Sequence, residues 1–188
     1  MKKLVITIAA VALSIASFGQ KIDQEVSKVN WTAYKVVGSS HTGDIAIKEG
    51  SFKIKKGEVK EGEIVIDLST LNSTDLEGEW KGKLDGHLKS ADFFDVEKYP
   101  TATFVLKEAV KEGDNHKLKG DLTIKGITQE VVFDSKLQKV DKNHVLVGKI
   151  KIDRTKFGLK YGSNSFFDNL GDKAIADEFE IDFKVQTI

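Results

Sequence analysis

Strict two-residue alternation of apolar and polar side chains constrains this chain more than any other feature. Near the C-terminus Phe179, Ile181, Phe183 and Val185 alternate with Glu180, Asp182 and Lys184. Successive side chains of a strand point to opposite faces, so one face of this segment is apolar and the other is wet. In residues 57–69 the same rule sets Gly62, Ile64, Ile66 and Leu68 against Glu63, Val65 and Asp67. Further strands are read in residues 29–37, 43–47, 51–54, 101–106, 117–124, 130–140 and 145–153. Polar turns separate them: Glu112-Gly113-Asp114-Asn115, Lys125-Gly126 and Asp141-Lys142-Asn143, with Lys48-Glu49-Gly50 expected as a hairpin turn. Many strands joined by short polar turns predict an all-β fold, an antiparallel sandwich or barrel.

One helical excursion interrupts the strands. Leu76, Trp80, Leu84 and Leu88 recur every four residues, along one helical face. Thr74-Asp75-Leu76-Glu77 fits a capping box, with Thr74 as N-cap. Gly78, Gly82 and Gly86 recur on the opposite side, each costing about 1 kcal/mol against alanine in a helix. Pro100, the only proline, drives Tyr99 into extended backbone. Beyond it Ala102, Phe104 and Leu106 share one strand face. The excursion reads as a loosely helical crossover whose apolar row plugs one end of the sheet, in preference to a mobile lid.

The first residues read as a leader. Lys2 and Lys3 precede an apolar run over residues 4–15, and Ser17-Phe18-Gly19 places small residues before a cleavage point at Gln20. The apolar run is shorter than the roughly 20 residues a membrane helix needs, so no stable membrane insertion is expected. The expected organisation is a leader over residues 1–19, one domain over 20–188, and a periplasmic or secreted location. The chain has no cysteine, which excludes disulfides and thiolate metal sites. Of its 29 Lys and Arg, loss of Lys2 and Lys3 leaves 27 against 29 Asp and Glu. Charge signs alternate along the chain, which argues against nucleic acid and against a polybasic membrane surface.

Chemistry-bearing motifs are sparse. His41, His87, His116 and His144 lack metal-ligand spacing and are expected to be exposed or locally hydrogen-bonded. His41 and His87 alone lie beside the sequence motifs quoted below. Ser90 has no flanking glycines of a nucleophile elbow. Asp92 and Asp95 read as caps around Phe93 and Phe94. No catalytic residue, metal or cofactor is expected, and the chain does not read as an enzyme.

What the strands offer is apolar surface. Trp31, Phe52, Ile64, Ile66, Phe104, Leu122, Phe133, Ile150, Phe179, Ile181 and Phe183 fit the inward faces of successive strands. Periodicity leaves open whether they fill a core or line a cavity, since a barrel of about eight strands does either.

Four short runs add a resemblance. They are Leu88-Lys89-Ser90-Ala91-Asp92-Phe93-Phe94-Asp95, Tyr99-Pro100-Thr101-Ala102-Thr103-Phe104, Gly120 through Thr128, and Arg154-Thr155-Lys156-Phe157-Gly158. In order and spacing they resemble the YceI-like family of lipid- and polyisoprenoid-binding proteins. Many members carry a Lys-His or similar pair close to the first strand; here Gly38-Ser39-Ser40-His41 follows Lys35. The resemblance implies an extended, lipocalin-like antiparallel barrel whose apolar tunnel takes a polyisoprenoid or isoprenoid quinone. The inward residues would line the tunnel. The two long connections, residues 76–94 and 157–170, would close its ends with Trp80, Phe93, Phe94, Phe157, Tyr161, Phe166 and Phe167. Arg154 and Tyr161 are candidates for a polar headgroup, Arg154 equally for a structural ion pair. The rivals are a structural or protein-interaction barrel with a filled core and, behind it, a lipid hydrolase.

Overall fold

A computed structural model describes residues 19–113 and 115–188. Apart from Gly19, the expected leader lies outside the described residues. Nine strands follow: β1 (Gln20–Lys21), β2 (Lys28–Lys35), β3 (Ser40–Lys55), β4 (Glu58–Ser73), β5 (Thr101–Glu112), β6 (Asn115–Ile124), β7 (Ile127–Val140), β8 (Asn143–Asp153) and β9 (Ile175–Gln186). One helix, α1 (Gly78–Lys89), lies between β4 and β5. The lateral order β3-β2-β9-β8-β7-β6-β5-β4 closes through a β3–β4 pairing into an eight-stranded antiparallel barrel. β2 covers only the first part of β3, from Tyr34↔Ser40 to Asn30↔Asp44. β1 takes over further along, at Lys21↔Ser51 and Gln20↔Phe52.

The hairpins explain themselves. Lys56 and Gly57 have φ of 55° and 72°, and Lys125 and Gly126 have 50° and 75°. Two successive positive φ values match the right-handed twist of the flanking strands. Lys48-Glu49-Gly50 is not a turn, contrary to expectation, because β3 runs through it. A register shift against β4 between Ile47 and Glu49 absorbs the irregularity as a bulge. Gly50 is small for a packing reason: a Cβ there would lie 2.6 Å from Ile22 Cδ1.

The two long connections do not close opposite ends; both lie at one end. Four strands, β5 to β8, separate them. In an antiparallel meander an even number of strands returns the chain to the end it left. The helix end thus carries α1, the β8–β9 connection and the β2–β3 and β6–β7 turns. The other end carries the β3–β4, β5–β6 and β7–β8 hairpins.

The helix begins later than the capping box suggested. Glu77 is its N-cap and makes no side-chain cap. The Thr74 hydroxyl donates instead to the Thr42 carbonyl at 3.3 Å. α1 is moored to β4 by its polar side: Asp85 Oδ1 accepts from the Ser73 amide at 2.9 Å, and Lys81 Nζ donates to Asn72 Oδ1 and the Ser73 carbonyl. Of the predicted apolar row, Leu88 is buried and Leu84 packs against the core. Trp80 is 69% exposed, with Lys83 Nζ 4.8 Å from its ring centroid.

His116 also departs from expectation. It sits on the inward face of β6 below Leu118, 2% exposed, with neither ring nitrogen hydrogen-bonded. Burial pushes its pKa below 6.5, with Lys111 adding to the shift and the nearby Gly57 backbone and then Glu58 opposing it. The neutral ring is therefore the folded form, whereas the unfolded chain takes up a proton as pH falls through about 6.5. Stability is expected to be full above that pH and to decline below it. Urea melts at pH 7.5 and 5 should show the loss, and His116→Leu should reduce it. An unreduced loss in a folded His116→Leu protein would assign the effect elsewhere.

Candidate functional site

The barrel interior is not filled. It holds a cavity of about 190 Å³. That exceeds the roughly 150 Å³ that suffices for a benzene-sized guest and falls below the roughly 300 Å³ where drug-sized pockets begin. The inward residues Phe104, Phe133, Phe179 and Phe183 are only half-buried because they face this void as well as one another. Every lining residue except Arg154 is apolar.

The lining follows the strand parity. Trp31 comes from β2, Phe52 from β3, Ile64 and Ile66 from β4, Phe104 from β5 and Leu122 from β6. Phe133 comes from β7, Ile150 from β8, and Phe179, Ile181 and Phe183 from β9. Phe133 stands edge-on between Phe104 and Phe183, with ring centroids 5.4 and 5.7 Å away.

Phe93 and Phe94 reach the cavity from the turn after α1. The turn is tightly specified. The Phe94 amide donates to the Leu88 carbonyl, the Asp95 amide to Ser90 at 2.8 Å, and Asp95 adopts φ of 53°. Lys125 Nζ, from the β6–β7 hairpin, donates to the carbonyls of Ala91 and Phe93 at 2.9 and 2.7 Å. These bonds hold the two phenyl rings, 5.0 Å apart, at the helix end of the cavity.

Arg154 lines the cavity but presents no donor to it. It is 2% exposed, and its Nε donates to Ala176 O at 2.9 Å. Nη1 donates to Leu159 O at 2.6 Å and Tyr161 O at 2.9 Å, and Nη2 to Ile175 O at 3.0 Å. Asp177 lies 3.8 Å from Nη2, a loose ion pair. Burial lowers the guanidinium pKa, and Asp177 and Asp153 oppose it. The residue clamps the β8–β9 connection to β9, and its other face lies 5.8 Å from the Phe93 ring.

Trp80, Phe157, Tyr161 and Phe166, expected at the ligand, do not line the cavity. Trp80 is in solvent. Phe157, 1% exposed, belongs with Leu159 to the buried core cluster. Tyr161, Phe166 and Phe167 are about half-exposed on the β8–β9 connection. Apolar bulk in a loop does not say which way it faces. His87 and His41 are not joined: the His87 ring packs against that of Tyr161 with centroids 4.4 Å apart and planes tilted by 58°, and His41 Nδ1 lies 2.8 Å from Asp75 Oδ2. Leu68, Leu71, Leu118 and Ile124 also line the cavity, and parity with Ile66 and Leu122 was the signal for most of them.

Chemically the cavity is an apolar slot. Among its lining side chains Trp31 Nε1 is buried without a partner, but neighbouring atoms cover it. Nothing polar is presented to an occupant.

A family model described as the YceI-like domain matches residues 20–187. A UPF0312 protein of Photorhabdus laumondii is 31% identical over 127 residues, spanning 62% of this chain and 63% of that protein. The chain spans less than two thirds of the length of the first curated relatives it matches. Among solved structures, BcnA of Burkholderia cenocepacia superposes with a TM-score of 0.69 at 22% identity, over 89% of this chain and 99% of that one. A polyisoprenoid binding domain from Saccharophagus degradans, implicated in plant cell wall breakdown, gives 0.67 at 17% identity, over 89% and 97%. At these identities the structures share the fold with this chain.

Proposed function

Because this chain belongs to the YceI-like domain family, we propose that it binds an isoprenoid-type lipid inside the barrel, to carry or store it without altering it. The observation that carries this reading is the vacant cavity lined by apolar side chains, whose one charged member has turned its donors to backbone carbonyls. Each CH₂ removed from water is worth about 0.8 kcal/mol, so a long hydrocarbon tail needs enclosure to travel through an aqueous compartment. The description of the Saccharophagus degradans neighbour as polyisoprenoid-binding supports the same chemistry. A polar headgroup finds no partner within and remains at the helix end, beside Tyr161 and His87. The proposed setting is the periplasm or the exterior, after removal of the leader. The rival barrel with a solid core is disfavoured by the vacant volume.

Native mass spectrometry of protein purified from its own host tests the proposal. The expected result is a chain starting at or within a residue of Gln20, plus an extra mass that solvent extraction removes. A chain that carries no hydrophobic guest, and takes none from a lipid extract of the host, overturns the reading.

A further inference from the structure

Four glycines on inward strand positions lie directly beneath four aromatic rings of the cavity wall. Trp31 covers Gly43, Phe52 covers Gly62, Phe104 covers Gly120 and Phe183 covers Gly148. Trp31, Phe52 and Phe183 are the direct cross-strand partners of their glycines. Phe104 is diagonal to Gly120, which pairs with Leu106. All four rings line the cavity.

Glycine inside a strand weakens it and calls for a reason. Backbone freedom is not the reason, because none of the four has a positive φ. At Gly43 and Gly120 a carbonyl of the adjoining strand, from Asn72 or Val105, also crowds the missing Cβ, so close backbone approach contributes. At Gly62 the three nearest atoms all belong to the Phe52 ring. At Gly148 the nearest atom is Phe183 Cζ, 2.6 Å from where a Cβ would sit, ahead of Asp134 O at 2.8 Å. Carbon atoms in contact keep about 3.5 Å, so an alanine would push the ring roughly 1 Å off the wall and into the lumen.

We propose that these glycines set the bore of the cavity: by letting the aromatic rings lie close against the wall, they keep the lumen open and determine the length of chain it admits. What the bore admits rests on the lipid-binding reading; the bore itself does not. Gly62, whose nearest atoms are all ring carbons, is the specificity-determining position on which the test chiefly rests, and Gly148, where the Asp134 carbonyl also lies close, is the second.

The experiment compares the full-length wild type with Gly62→Ala, Gly148→Ala and the paired variants Gly62→Ala/Phe52→Leu and Gly148→Ala/Phe183→Leu. Two probes are used: xenon uptake by NMR, which gauges vacant volume alone, and binding of farnesol, geranylgeraniol and solanesol, isoprenoid alcohols of increasing length. Circular dichroism reports folding. The alanine variants are expected to take up less xenon and to bind the longest accepted alcohol about tenfold more weakly, with the shortest little changed. Trimming the ring in the paired variants should restore both. Folded alanine variants with wild-type xenon uptake and length preference overturn the proposal. If the alanine variants do not fold, the paired variants decide: recovery of fold and xenon uptake supports it, and failure of both assigns the glycines to the backbone and overturns it. If wild type takes up xenon but none of the alcohols, the lipid-binding reading fails, while the xenon comparison still judges the bore.

Discussion

Substituting Arg154 with methionine is expected to destabilise the fold by about 3–5 kcal/mol, the range seen when one partner of a buried charged network is removed. Total stabilities of domains are roughly 5–15 kcal/mol, so the loss is a large share. The cost arises because the carbonyls of Leu159, Tyr161, Ile175 and Ala176 lose their donor together. Each buried carbonyl left unsatisfied costs about 1–3 kcal/mol, reduced where water reaches it. Arg154→Lys should recover part of the loss at most, since an ammonium is a compact donor without the planar fork that spans four acceptors. Urea denaturation of the three proteins measures the difference. A methionine variant as stable as wild type would free the guanidinium for a ligand headgroup and contradict the structural role.

Phe104→Asp is expected to abolish lipid retention. The substitution sets a carboxyl in a slot that offers no hydrogen-bond partner. Burying such a group costs several kcal/mol whether it ionises or stays protonated, which converts to a loss of on the order of 100-fold or more in ligand affinity. Phe104→Leu is the matched control and should keep its guest. Circular dichroism establishes that the aspartate protein is folded, and native mass spectrometry counts the guest. A folded Phe104→Asp protein that holds its lipid at unchanged stoichiometry would place the ligand outside the barrel, and the proposed function would fail.

The inward faces were legible because alternation carries them. Ile64, Ile66 and Leu68, and likewise Phe179, Ile181 and Phe183, line the cavity as their parity dictates. Local charge misled where it imitated a turn: Lys48-Glu49-Gly50 lies within β3, and Gly50 is needed there for Ile22 to approach. The shared end of the two long connections was open to a parity argument, since strand counting alone gives it. Arg154 was ambiguous because a single arginine does not announce four carbonyls. Those acceptors come from β9 and the β8–β9 connection and exist only once the loop is folded back. The exposure of Phe166 was hidden for a related reason, since a loop lacks a period from which direction can be read, whereas the period that joined Trp80 to Leu84 and Leu88 did not show that α1 buries this row only in its C-terminal half. The glycine–aromatic pairs needed the register, which no single strand contains.

The pairing of β2 with β9 has a consequence for how the barrel comes into being. All the other seams of the closed ring join strands that are neighbours in sequence, whereas this one joins Val29 to Phe183 and Trp31 to Ile181. Loop closure over so long a chain is entropically costly and slow relative to hairpin formation. The sheet is therefore expected to grow as an open, curved ribbon with its apolar face exposed, and to become a container only when its last strand arrives. Until that moment the lumen has no inside. A hydrophobic guest present during closure can be enclosed by the ring as it shuts, without having to pass between the side chains that close the finished barrel.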